Sequence, residues 1–117
     1  MNRGIFLNII IFVFLLFSCK KEKNTYDIVT NVGDTVTINL DFMEGTGNYW
    51  NWSNRDDVKS NIDTINLQII SSNIDGGIGQ YYWKYLTYKD SDCFLIFKLY
   101  NHYDSVIGKK QFRVLIE

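Results

Sequence analysis

The sequence predicts an all-β protein, an antiparallel sandwich of about seven short strands, and three observations carry that reading. Apolar and polar residues alternate with a period of two in several separate stretches, clusters of turn-forming residues stand between them, and no amphipathic helix of ordinary length intervenes. The 117 residues are 46% hydrophobic and 16% aromatic, with twelve Lys or Arg against thirteen Asp or Glu. Such a chain holds one small globular domain with one core. Its near-neutral charge offers no electrostatic hold on nucleic acid or on an anionic membrane.

Taken in order, Tyr26 to Val29 is a short first strand, and Val36, Ile38 and Leu40 alternate with Thr35, Thr37 and Asn39 in a second. Tyr49 to Trp52 is aromatic enough for a third, and Asp56 to Asn61 makes at most one turn of helix. Ile65, Leu67 and Ile69 alternate with Asn66 and Gln68, the pattern of a half-buried fourth strand. Aromatic residues dominate Tyr81 to Tyr88, Phe94 to Tyr100 is apolar on both faces, and Phe112, Val114 and Ile116 close the series. The separators are Asn31 to Asp34, Glu44 to Asn48, Asn73 to Gly79, Lys89 to Asp92 and Asn101 to Lys110. Strands of this number without helical crossovers favour an immunoglobulin-like sandwich over a small barrel. With no proline in the chain, edge protection falls to charges such as Lys98 and Arg113 or to bulges.

The amino terminus has the marks of an exported lipoprotein. Arg3 is followed by an apolar run from Ile5 to Phe17, interrupted by Asn8, and Leu16-Phe17-Ser18-Cys19 places a small residue before a cysteine. At 1.5 Å per residue the run reaches only about 20 Å, against a bilayer core of about 30 Å, so a cleaved signal is favoured over a retained span. Residues 1–18 are expected to be a signal peptide, 19–25 a lipidated Cys19 with its polar tether, and 26–117 the domain. Two or more acyl chains on Cys19 would give lasting attachment to the membrane of a bacterial cell envelope. Cys93 then has no partner in the mature chain and, within Cys93-Phe94-Leu95-Ile96-Phe97, is expected to be a small buried hydrophobe.

Little in the chain supports catalysis. The single histidine, His102, sits in a loop segment, and zinc sites and serine or cysteine nucleophile systems generally draw on histidine. Asp56-Asp57 and Asp90 with Asp92 lie in turns without the spacing of a calcium loop. Gly76-Gly77-Ile78-Gly79 lacks the Lys-Ser or Lys-Thr of a phosphate loop. No catalytic residue, cofactor or metal is expected.

What remains is binding character. Met43 to Asn48 runs into Tyr49-Trp50-Asn51-Trp52, and Gly76 to Gly79 runs into Tyr81-Tyr82-Trp83, so flexible residues flank large amphipathic rings. Trp50 and Trp83 also suit the core of a sandwich, and that reading is the stronger for both.

The order of these landmarks resembles the chagasin-like inhibitors of papain-family cysteine proteases, which are immunoglobulin-like domains. Val29 to Asp34 before the alternating strand is similar to the family's Val-x-x-Gly-Asp opening. Its first loop reads Asn-Pro-Thr-Thr-Gly, an aromatic, one residue, then Trp. Met43-Glu44-Gly45-Thr46-Gly47-Asn48-Tyr49-Trp50 keeps Thr46, Gly47 and Trp50 and replaces the Asn-Pro start. The second, Gly-x-Gly-Gly with a Trp four residues on, is matched by Gly76, Gly77, Gly79 and Trp83, with Ile78 where a glycine is expected. The third, Arg-Pro-Trp, is replaced by Asn101-His102-Tyr103.

The resemblance implies a monomeric, non-catalytic inhibitor of papain-like cysteine proteases whose three loops enter the active-site cleft. Glu44, Gly45, Thr46, Gly47, Asn48 and Trp50 would form the first loop, Gly76, Gly77, Ile78 and Gly79 the second, and Asn101, His102 and Tyr103 the third. The alternative is a membrane-anchored binding module of the same fold that recognises another protein or a glycan and has lost inhibition.

Overall fold

The computed structural model describes residues 25–74 and 76–117. The expected leader, Cys19 and the tether up to Asn24 lie outside the described residues. Seven strands and one helical turn follow in chain order: β1 (Ile28–Thr30), β2 (Thr35–Met43), β3 (Tyr49–Trp52), α1 (Arg55–Val58), β4 (Ile62–Ile70), β5 (Ile78–Thr87), β6 (Ser91–Tyr100) and β7 (Val106–Ile116). They form a four-stranded sheet in the order β1-β7-β6-β3 and a three-stranded sheet in the order β2-β5-β4. This is the expected immunoglobulin-like sandwich, with one departure from antiparallel pairing: β1 runs parallel to β7, Ile28 opposite Val114. A parallel neighbour needs a long crossover, and here the whole domain between the first and last strands supplies it.

Period-two alternation builds the core. Val36, Ile38 and Leu40 of β2 stand opposite Tyr85, Trp83 and Tyr81 of β5, and all six are buried. From the other sheet come Trp50 and Trp52 of β3, Leu95 and Phe97 of β6, and Val114 and Ile116 of β7. Aromatic rings join the layers, with Trp83 4.7 Å from Phe97 and Trp52 edge-on to Tyr85 at 4.9 Å. Each such large apolar burial contributes about 1.5–3 kcal/mol. Cys93 belongs to this core, and burial pushes its thiol up.

Turns and caps use polar side chains in place of a disulfide. The Asn31–Asp34 turn closes on β5: Gly33 N–H donates to Thr87 O at 3.0 Å, and the buried Thr87 hydroxyl reaches Asn31 O and Asp34 O at 2.9 and 3.0 Å. Gly33 has φ +91°, which a side chain would strain. Where β3 ends, Asn54 extends its contact with β6 through its amide, donating to Phe94 O at 2.7 Å and accepting from Ile96 N–H at 3.0 Å.

Two expectations are corrected. Lys98 and Arg113 do not guard edges, because β6 and β7 are interior strands of the four-stranded sheet. Arg113 instead pairs with Asp92 at 2.9 Å and lies over the Tyr26 ring at 4.3 Å. The segment from Ile65 to Ile69 is also not half-buried. A bulge between Thr64 and Asn66 shifts the register of β4, and Ile65, Leu67 and Ile69 are all exposed on this edge strand. The bulge on an edge is the other protective device the sequence left open.

Tyr85 is fully buried, and its hydroxyl has no hydrogen-bond partner among the described residues. Burial drives that phenol far above its ordinary pKa. Because an unsatisfied buried hydroxyl costs free energy, Tyr85→Phe is expected to keep or raise stability by up to about 1 kcal/mol, whereas Phe97→Ala should lose about 3–5 kcal/mol. Urea unfolding checks both, and a clear loss with Tyr85→Phe would reveal a partner for the hydroxyl.

Arg55 grips Asp63 with two hydrogen bonds of 3.0 and 2.9 Å and holds its carboxyl below the usual carboxylate range. A lowered folded pKa adds stability above the unfolded value of about 3.9, lost as pH falls through the folded one. Arg55→Gln should therefore lower stability at neutral pH and flatten its fall below about pH 4, as followed by unfolding across a pH series.

Candidate functional site

The first loop, residues 44–48, carries the chain from β2 in one sheet to β3 in the other. Gly45 and Gly47 have φ of +80° and +79°, conformations that favour glycine. Thr46 fixes the turn between them, its hydroxyl donating to Met43 O at 2.8 Å and accepting from Asn48 N–H at 3.2 Å. Trp50 does not project with this loop: its side chain is buried in the core, and its indole N–H donates to Asp41 O at 2.8 Å. It anchors β3 to β2 beneath the loop.

The second loop lies earlier than its glycines suggest. Ile78 and Gly79 open β5, and the described residues of the turn itself are Ser71 to Ile74 with Gly76 and Gly77. Gly77 N–H donates to Ile74 O at 2.9 Å, while Asn73 and Gly76 take φ of +64° and +72°. Ile78 points outward beside its cross-strand partner Met43, and together with Ile74 these side chains form an exposed apolar rim. Gly79 is buried: a Cβ there would stand 2.5 Å from the Phe42 ring.

The third loop is organised by Asn101, whose side-chain oxygen accepts the N–H groups of Tyr103 and Ser105, both at 3.0 Å. Asn101 thus shapes the loop, leaving His102 and Tyr103 exposed with their rings 3.8 Å apart. Tyr103, 76% exposed, has the greatest exposure of the large hydrophobic side chains among the described residues.

Direct contacts bring the three loops together at one end of the sandwich. Between the first and second, the Glu44 carboxylate accepts the Ser72 N–H at 2.8 Å and the Ser72 hydroxyl at 2.9 Å, and Glu44 N–H donates to Gly77 O at 2.9 Å. Those bonds hold the Glu44 carboxyl below its ordinary pKa, the Ser72 N–H contributing most. Between the first and third, a Cβ at Gly47 would stand 2.7 Å from His102 Cβ. The Tyr49 hydroxyl donates to Asp104 at 2.6 Å, which raises its pKa, and its ring stacks on Tyr100 at 5.3 Å. Residues 72, 74 and 104 were not among the expected site residues. Only Asn101 and Asp104, spaced as in a turn, carried a local sign of their role.

Among the described residues no three His, Cys, Asp or Glu groups converge on a metal site, and Cys93 is enclosed in the core while His102 lies on the loop surface. A shallow groove of about 250 Å³ on the outer face of the three-stranded sheet is lined by strand residues such as Asn66, Ile70, Tyr82 and Lys84, and by none of the three loops.

No family model matches the chain, and no curated protein matches it. Solved structures do share its fold. A cysteine protease inhibitor from Entamoeba histolytica superposes with a TM-score of 0.54 at 14% identity, over 81% of this chain and 91% of that one. The BIgI domain of the beta protein from S. agalactiae, in a structure bound to CEACAM1, does so with a TM-score of 0.51 at 13% identity, over 77% and 87%. The chain is similar to both in fold across most of its described length.

The contact between Gly47 and His102 is open to direct test. Gly47→Ala places a side chain at a left-handed φ and against His102, and is expected to cost about 1–2 kcal/mol of stability in chemical unfolding. A variant as stable as the parent would show that the first and third loops are not packed in this way.

Proposed function

We propose that the domain is a reversible inhibitor of papain-like cysteine proteases, acting by insertion of its three loops into the active-site cleft. The observation that carries this reading is their convergence: three segments far apart in sequence, the first two matching inhibitor motifs and the third standing at the place of the third motif, meet at one end of the sandwich. A fold shared with a cysteine protease inhibitor supports it. In this reading Thr46 and Gly47 approach the catalytic cysteine of the protease. The second loop offers main-chain groups and its apolar rim to one wall, and His102 with Tyr103 leans on the other. The loops do no chemistry; their internal hydrogen bonds limit the ordering cost of association. Export and a lipid on Cys19 would hold the inhibitor at the surface of a bacterial envelope.

A second reading, a binding module without inhibitory activity, is favoured by the third loop, where Asn101-His102-Tyr103 replaces the motif's arginine and proline. The same fold in a domain bound to CEACAM1 supports a protein as its partner.

Titration of the unlipidated chain from Lys20 to Glu117 against papain, with a fluorogenic peptide substrate, separates the two. Competitive inhibition is expected, weakened about tenfold or more by Thr46→Ala, which removes both hydrogen bonds that shape the first loop. A folded domain that leaves a panel of papain-like enzymes untouched at high micromolar concentration would refute inhibition and favour the binding module.

A further inference from the structure

Glu44 stands where the inhibitor motif has its proline. A proline there would fix φ but would also remove the N–H that Glu44 donates to Gly77 O at 2.9 Å. The Glu44 side chain adds two more bonds across the same gap, both to Ser72, at 2.8 and 2.9 Å. Ser72 passes the connection on: its hydroxyl accepts the Ile74 N–H at 3.3 Å, and Ile74 O accepts the Gly77 N–H at 2.9 Å. The path closes on itself, from the Glu44 carboxylate through Ser72, Ile74 and Gly77 back to the Glu44 main chain.

The glycines of the second loop fit this ring. At Gly79 a Cβ would stand 2.6 Å from a Glu44 carboxylate oxygen, and at Gly77 it would run into the Ser72 hydroxyl. The Ser72 hydroxyl thus leaves no room for a side chain at Gly77, and the Phe42 ring and the Glu44 carboxylate together leave none at Gly79, before any partner arrives. We propose that Glu44 is a positioning residue, a carboxylate clamp that locks the second loop to the first so that the two meet a partner as one rigid surface. The role at the partner rests on the reading of this end as a protease-binding surface; the clamp itself does not.

Amide hydrogen exchange of the full chain tests the clamp without a protease. In Glu44→Ala the Ser72 and Gly77 amides are expected to exchange about tenfold faster or more, while the Trp83 amide in the core keeps its protection. Glu44→Gln retains an acceptor for the Ser72 N–H and should restore most of the protection. Unchanged exchange at Ser72 in Glu44→Ala, or no rescue by Glu44→Gln, overturns the proposal.

Inhibition of papain gives a second readout. Glu44→Ala is expected to raise the inhibition constant about tenfold, with Ser72→Ala adding little on top, because both remove one interaction. Equal inhibition by the parent and Glu44→Ala overturns the positioning role. Faster exchange in Glu44→Ala combined with a parent chain that does not inhibit supports the clamp and refutes the protease reading alone.

Discussion

The inward face of β5 is the constraint on which the rest of this structure depends. Along that face Gly79, Tyr81, Trp83, Tyr85 and Thr87 follow one another at a period of two, and all five are buried. Trp83 and Tyr85 reach the opposite sheet through Phe97 and Trp52, fixing the separation of the layers with rigid rings. Thr87 holds the β1–β2 turn at one end of the strand, and Gly79 leaves room for Phe42 and Glu44 at the other. The only free cysteine among the described residues, Cys93, is itself a core residue, so packing density substitutes for a covalent staple.

From that strand the geometry of the loop end follows. β2 and β5 pair in register up to Met43 and Ile78, so the first and second loops leave the three-stranded sheet side by side. In the other sheet β3 and β6 pair from Trp52 opposite Phe97 to Tyr49 opposite Tyr100, which brings the third loop to the same end. Trp50 and Trp52 sink into the core between the two layers. Their burial converts a crossing between sheets into a stiff base for Thr46 and Gly47. Rigidity at this point lowers the entropy lost when a partner binds, the main cost that a small recognition surface has to offset.

Alternation made β2 and the end of β7 legible in the sequence, and aromatic and apolar content did so for β5 and β6, because these are local signals. Val106 to Lys110, expected as part of a separator, is the first half of β7, a largely exposed stretch that pairing with β6 holds in the sheet. The edges of the sheets were not legible. Ile65, Leu67 and Ile69 have the spacing of a buried face, and only the pairing of β4 with β5 alone, together with the bulge at Thr64, leaves them at the surface. Lys98 and Arg113 were misplaced for the same reason, since strand order is a property of the assembled sheets. At the candidate site, the glycines and Thr46 were visible as motifs. The bonds that make them one surface were not: Glu44 meets Ser72 across 28 positions and Tyr49 meets Asp104 across 55, and no local pattern announces a contact at that range.

A fold shared by a protease inhibitor and by a domain bound to CEACAM1 does not choose between modes of recognition; the surface has to. The outer face of the four-stranded sheet carries Lys98, Lys109 and Arg113, and the groove on the other sheet is lined by strand residues that include Thr37, Gln68, Ile70 and Tyr82. Both are shallow, and neither projects. The loop end projects, presents main-chain groups at Gly45 and Gly76, and sets exposed Tyr103, Ile74 and Ile78 around them. In the proposed reading as an inhibitor, that combination of small residues at the tip and apolar flanks suits a cleft, the narrow tip entering while the flanks exclude water from the walls. In the proposed inhibitor, the bonds of Thr46 within the first loop and of Glu44 to its neighbour take the place of the order that the motif's proline would give through a fixed φ.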